Sequence, residues 1–348
     1  MPAFSTARAV EMLAERAGLQ RILLDSGRRA YALTELIGPI SVGDRVVVNT
    51  TAVDLGLGTG GWDVVHWNLE RDSWQHRGPG HIMKLRYTSL QADTGAAEEE
   101  IGYQPPDSLA GLPVAVCGLH SQMASVAAAF QQLAPDRRLV YVMTDQAALP
   151  LALSDLVFDL QTRGLINATV TTGQAFGGDH EAVNLLSGLE VALVVARADA
   201  VVVAGGPGSV GTGTPTGMSA LDTAAVIDVT AKAGGRPIVA LRWSDADPRP
   251  RHQGLSHHVE AALALAHEPA AIAVPRGEVV PDFPGHHRVE VEVPDMAALF
   301  DSLGLVVTTM GRGPSEDPRF FRFAAAAGVV AAGRARTGGP RPGGSVPV

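Results

Sequence analysis

The amino-acid sequence predicts an α/β protein whose larger part is a doubly wound, mostly parallel sheet, preceded by a small β-rich domain. Three observations carry that expectation. Residues 113–333 alternate strand-length apolar runs with helix-length runs. Residues 1–90 hold only short strand-like runs separated by Gly and Asp turns. The composition, 46% hydrophobic against 18% charged over 348 residues, is that of a globular chain with a core to bury.

In the first part, RAVEM, QRILLD, RAYALTEL, DRVVVNTTAV and WDVVHWNLE lie between AG, SGR, VGD and GLGTGG turns, the pattern of a small antiparallel sheet or barrel. The segment ARAVEMLAERAG has a composition that suits a helix equally well, and it is assigned here to a strand. Residues 91–112 are assigned to a linker, because acidic residues, a Pro pair and small residues leave little to pack. Beyond it PVAVCGL, RLVYVMT, NATVTTG, DAVVVAGG, PIVALRW and AAIAVP are strands. They alternate with the helical runs SQMASVAAAFQQL, PLALSDLVFDLQTRG, HEAVNLLSGLEVALVVARA, TGMSALDTAAVIDVTAKAG and HHVEAALALAH. Such alternation implies right-handed βαβ units and a Rossmann-like sheet covered on both faces. Residues 334–348 form a Gly/Pro-rich tail expected to be disordered.

Bulk charge narrows the function. The net charge is −9 and no Lys/Arg run is present, so the phosphate-neutralising surface that nucleic acid requires is not expected. The most apolar stretch, residues 185–206, is interrupted by Glu190, Arg197 and Asp199, so no membrane segment is expected. A single cysteine, Cys117, fits a reducing, cytoplasmic setting.

Five blocks are distinctive: VNTTAVDLGLGTGG at 48–61, GHIMKLRYTSLQ at 80–91, YVMTDQAALPL at 141–151, GGPGSVGTGTPTG at 205–217 and SDADPRPRHQGLSHH at 244–258. Together they resemble the bacterial family catalogued as domain of unknown function 3866, over nearly the whole chain. The resemblance implies no activity, substrate or catalytic residue, so the chemistry has to come from the residues.

In open α/β sheets, ligands bind outside the carboxyl ends of the strands. The glycine loop there has a GxGxxG spacing at Gly206, Gly208 and Gly211, but Thr214 and Pro215 resemble a helix cap and first residue, too late for a dinucleotide turn. No ribose-binding acid follows on time, since the strand-end acid Asp245 comes 34 residues after Gly211. NAD-type binding is therefore disfavoured, and the loop is kept as an anion cradle of Gly206, Gly208, Ser209, Gly211, Thr212 and Thr214. Its structural alternative is a plain flexible connection.

The stretch from Ser244 to His258 supplies Arg249, Arg251, His252, His257 and His258. Ser256 caps the helix starting at His257, which places two imidazoles at a positive helix end and should lower their pKa values. Neutral imidazole accepts a proton or binds a metal. Adjacent helical histidines point about 100° apart, so His252 or an acid from another loop would have to join one of them around an ion. The alternative is a solvated loop in which arginines pair with aspartates. Asp179 is expected to cap a helix, while His180 or Glu181 could meet His257 or His258 across the edge in a mixed His/carboxylate divalent site; Asp179, His180 and His252 are the metal-ligand candidates. Asp145, at a strand end, is a catalytic candidate, whereas Ser121 beside His120 is expected to be a helix cap. His81, Lys84, Arg86 and Tyr87, and likewise Arg312 and Asp317, supply either ligand-facing charge or ordinary salt bridges.

The preferred expectation from these residues, with the enzyme question left open, is an enzyme of hydrolase or transferase type. It would bind a small anionic molecule between glycine loop and histidine loop, with Asp145, Asp179, His257 and His258 as acid/base or metal-binding groups and a divalent metal as the one cofactor considered. Two other classes stay open: a non-catalytic ligand-binding or regulatory module, and an assembly protein whose polar edge is a homo-oligomer interface.

Overall fold

The computed structural model describes residues 1–57, 60–76, 78 and 80–335. Its contacts divide the chain into two units, one over Met1–Gly95 and one from Ala96 onward.

The first unit is a closed five-stranded barrel. Strands β1 (Phe4–Arg16), β2 (Leu19–Leu24) and β3 (Arg29–Leu33) are followed by the helical turn α1 (Thr34–Ile37), β4 (Arg45–Asn49), the turn α2 (Thr51–Asp54) and β5 (Trp62–Asn68). The strands close in the order β1-β2-β3-β5-β4, with β3 and β5 parallel. Alternate residues point inward, as the period of a strand requires, and Ile22, Leu24, Ala30, Ala32, Val46, Val48 and Val65 form the core. ARAVEMLAERAG lies in β1, so cross-strand pairing overrides its helix-compatible composition. The short strands β6 (Ile82–Lys84) and β7 (Ala92–Thr94) pair with each other. Lys84 on β6 is buried, and Tyr87 just beyond it is exposed.

The second unit is the doubly wound sheet. In chain order it contains β8 (Pro113–Cys117), α3 (Gln122–Leu133), β9 (Leu139–Thr144), α4 (Asp155–Thr162), β10 (Ala168–Thr172), β11 (His180–Ala182), α5 (Leu185–Val194), β12 (Ala200–Gly205), α6 (Thr223–Lys232) and β13 (Arg236–Ala240). There follow the two-residue strands β14 (Trp243–Ser244) and β15 (Gly254–Leu255), α7 (His257–Leu265), β16 (Ala271–Pro275), β17 (His287–Val291), α8 (Met296–Leu303) and α9 (Pro318–Arg334). Eight strands pair in parallel in the order β11-β10-β9-β12-β8-β13-β16-β17. Residues of α3, α4, α8 and α9 fill one core, and those of α5, α6 and α7 fill the other. From β8 the chain steps toward β9 through α3 on the first face. From β12 it steps the opposite way through α6 on the second. Right-handed crossovers demand that change of face when the winding direction reverses, so the reversal lies among β12, β8 and β13.

Several local expectations are corrected. Residues 91–112 are not featureless: β7 lies within them, and Leu109 and Leu112 are fully buried in the second core. Asp179 caps no helix, because His180–Ala182 pairs with β10 as β11 and the helix begins after Asn184, which makes a capping box with Ser187. Nor do Thr214 and Pro215 start a helix. The Thr214 hydroxyl accepts from the Gly217 N–H, a 3-10 turn occupies Ser219–Asp222, and α6 opens at Thr223. Ser121 stands at a helix start without capping it, and its hydroxyl donates to Thr309 instead. Arg334 ends α9 rather than opening a tail, and residues 336–348 of that expected tail lie outside the described residues. Among the described residues no helix is long and apolar enough to cross a membrane.

Candidate functional site

At the reversal, β13 runs out into Leu241 and Arg242. Pairing of β14 with β15 then pinches residues 244–254 into a loop that folds back on α7. Inside it a 3-10 turn at Pro250–His252 turns His252 toward the helix start. Ser256 caps α7 by accepting from the His258 N–H, and its hydroxyl shares a 2.8 Å hydrogen bond with His252 Nδ1. His252, His257 and His258 consequently meet, with ring centroids 4.4–5.1 Å apart and one ring nitrogen from each within 4.8 Å of the others. The two adjacent histidines therefore do converge, and His252 joins both.

Sequence reasoning missed Arg242, which read as the end of a strand. Its guanidinium is buried, with 5% of the residue exposed, and Nη1 donates to His258 Nδ1 over 3.2 Å. Asp247, also buried, accepts three bonds from Arg249, one from its backbone N–H at 3.0 Å and two from its guanidinium at 2.9 and 2.7 Å, and a longer one from Arg242 at 3.5 Å. The hydrogen bonds from Arg249 hold the Asp247 carboxyl well below the usual carboxylate range. Asp317 arrives from the start of α9, accepting from the Ser244 hydroxyl at 2.5 Å and from Arg312 Nε at 3.3 Å. Arg312 and Asp317 thus belong to the cluster. Four arginines (Arg242, Arg249, Arg251 and Arg312) face two buried aspartates, Asp247 and Asp317, so the site carries excess positive charge.

Burial first, and then Arg242, pushes His258 down to about 3 and His252 down to about 4. Hydrogen bonding also distinguishes the rings. His257 Nδ1–H donates to the Arg251 carbonyl, which leaves Nε2 as a lone pair in the neutral ring. A guanidinium has only donors, so His258 Nδ1 must accept from Arg242 and its Nε2 carries the hydrogen. His257 has the pattern of a metal-binding imidazole, but His258, which accepts from Arg242 on Nδ1, does not fit a three-histidine divalent centre. Metal-binding imidazoles turn their second nitrogen toward an acceptor, and a cation would also sit among arginines.

The histidines make stability pH-dependent. His120, between the ends of β8 and α4, is held at about 4 by burial as well. In the unfolded chain all three protonate near 6.5, while the fold keeps them neutral to about 4 or below. The unfolded state thus binds more protons in that window, and stability falls as pH drops from 6.5 toward 4. Each histidine contributes up to about 1.4 kcal/mol per pH unit. Urea unfolding at pH 7, 6, 5 and 4 should show this loss, and the His258→Gln variant should show a shallower one. A flat profile from pH 7 to 4 would contradict the neutral assignments.

The other sequence candidates lie elsewhere. Asp179 accepts from the Thr169 N–H and hydroxyl and from Gln161 at the start of β10. It and His180 sit at the β11 edge, five strands from β13, or about 24 Å at ordinary strand spacing. They cannot share an ion with His252. Asp145 follows β9, three strands from β13, and accepts from the Gln174 N–H. In the glycine loop, residues 208–217 are exposed, and Thr212, Thr214 and Gly217 bond one another, whereas Gly206 is buried against the Ala148 carbonyl. His120 is a further polar centre: its Nδ1 donates to the Gly205 carbonyl and its Nε2 lies 2.7 Å from the Ser154 hydroxyl that caps α4. Cys117 is buried, with its thiol pushed up to about 12. Between β8 and β13 a cavity of about 20 Å³, lined by Gly118, Ala220, Thr223, Arg242 and His258, has room for a water-sized group. A larger ligand would have to rest on the more open rim at His257, Arg249 and Arg251.

A family model described as a protein of unknown function (DUF3866) matches residues 29–328. No curated protein matches the chain.

Proposed function

The chain belongs to the DUF3866 family of unknown function, and from its geometry we propose that it binds a small anion at the Arg242–histidine cluster, with His257 available as a proton acceptor and His258 as a hydrogen-bond donor to it. The supporting observation is the buried Arg242 guanidinium, bonded to a neutral histidine and only distantly to its carboxylate. Burying a cation costs several kcal/mol unless a partner compensates, and Asp247 is mainly committed to Arg249. An anion at the rim would complete the charge balance. Its placement at the winding reversal accords with where open α/β sheets take ligands. With a lone pair on His257 and an N–H on the neutral His258, the pair supplies a proton acceptor beside a hydrogen-bond donor that can steady developing negative charge, which suits hydrolysis or group transfer.

A thermal-shift series at matched ionic strength tests the reading. Phosphate, sulfate and acetate are compared with chloride. An anion present at 100 times its Kd stabilises by about 2.7 kcal/mol. For a unit of this size that corresponds to roughly 5–10 °C in Tm. Equal melting temperatures in all four salts would remove the proposal.

A further inference from the structure

Resting on the anion-binding reading above, we infer that the site selects an anion that carries its own O–H, namely a monohydrogen phosphate group, over unprotonated oxyanions of the same shape. The inference comes from the fixed tautomers. His257 gives its Nδ1–H to the Arg251 carbonyl, and its other nitrogen is an acceptor. His258 takes a hydrogen bond from Arg242 on Nδ1, and its other nitrogen is a donor. Arg242 thus acts as a positioning residue, because it sets which nitrogen of His258 bears the proton.

The ring nitrogens gather within 4.8 Å. With the His257 and His258 rings 4.4 Å apart at their centroids, we place one ligand oxygen at a hydrogen-bond distance of about 2.8 Å from the free Nε2 of each. To satisfy both, that oxygen must accept from His258 and donate to His257. Only an O–H does so. An ionised carboxylate and sulfate offer acceptors alone, so either would set an oxygen against the bare His257 lone pair. A phosphate group, with its second pKa near 6, still supplies a protonated population around neutral pH. Its remaining oxygens would draw on the exposed Arg251 and on the Arg249 N–H groups not already given to Asp247, on the more open side of the cluster. Asp247 does not compete for the ligand's proton, because its carboxylate is saturated by Arg249 and Arg242.

Sulfate is the decisive comparison, since it matches phosphate in shape and lacks the proton. Titration calorimetry of the full chain at pH 7 with inorganic phosphate, methyl phosphate, sulfate and acetate reads the selection directly. Both phosphates are expected to bind at least tenfold more tightly than sulfate or acetate, and the His257→Ala variant should lose that preference. If methyl phosphate fails while inorganic phosphate binds, the ligand is the free ion and not an ester. In the unliganded protein, nitrogen-15 imidazole spectra should report hydrogen on His258 Nε2 and on His257 Nδ1, a readout that needs no variant. Sulfate binding as tightly as phosphate, or His258 protonated on Nδ1, would overturn the selection and leave anion binding standing. Binding of none of the four anions would end both readings.

Discussion

Replacing Gly328 by alanine is expected to destabilise the second unit by about 3 kcal/mol, even though alanine is the better helix former by about 1 kcal/mol. Gly328 lies in the middle of α9, facing α3. A β-carbon built there would stand 2.2 Å from the Val126 carbonyl oxygen and 3.0 Å from its carbon, both of them backbone atoms that cannot rotate away. The helices would have to part, loosening the layer of Ala124, Ala127, Ala128, Ala325 and Ala327 that lets them approach so closely. The control is in the same helix. Gly333 has nothing within 4 Å of its would-be β-carbon, so Gly333→Ala should be neutral or stabilise by about 0.5–1 kcal/mol. Urea denaturation of the two variants side by side separates packing from propensity. A Gly328→Ala protein at least as stable as the parent would contradict the close α3–α9 contact.

That contact was not legible in the sequence, and the reasons are local. The alternation of apolar runs and helices predicted the parallel sheet because strands covered on both faces, such as PVAVC and AVVVA, are continuous apolar runs. The rhythm fades after Pro275. Edge strand β17, HRVEV, alternates charged with apolar residues and gives half the signal, and α8 and α9 follow it without a strand between them. At 214–215 a good cap and a proline imitate a helix start, yet the threonine hydroxyl is spent inside its own loop. His180 reads as helical until β10 offers it a ladder partner, Val170.

The site was legible as a list and not as an arrangement. Three histidines and two arginines within a short polar stretch stood out because a solvated loop has little use for them. What joins them is a pairing of two residues with two, Trp243 with Leu255 and Ser244 with Gly254, too short to leave any period. Arg242 hid at the end of an apolar run, and Asp317 lies 70 residues from Asp247 along the chain. Long-range partners of this kind carry no spacing signal.

Removing the Asp247 carboxylate should be the most damaging change at the site. Asp247→Ala is expected to cost about 3–5 kcal/mol, because it strands a cation that cannot reach water. Arg249 and Arg312 are partly exposed and can turn outward, whereas Arg242 is buried beside His258. The loss should therefore be traceable to Arg242. In the double variant Asp247→Ala/Arg242→Met the stranded charge is gone, so at least about 2 kcal/mol should return, a coupling that a double-mutant cycle reads directly. Arg249→Ala withdraws charge-assisted bonds from the buried Asp247 and should itself cost about 2–3 kcal/mol, but that loss is not recovered by adding Arg242→Met. The cycle also separates structure from function. If Arg242 serves only to neutralise Asp247, the double variant regains both stability and phosphate binding. If Arg242 is kept to hold His258 in its donor tautomer beside an anion, stability returns and phosphate affinity does not. The second outcome is the one expected, since a methionine fills the buried volume but donates nothing to His258 Nδ1.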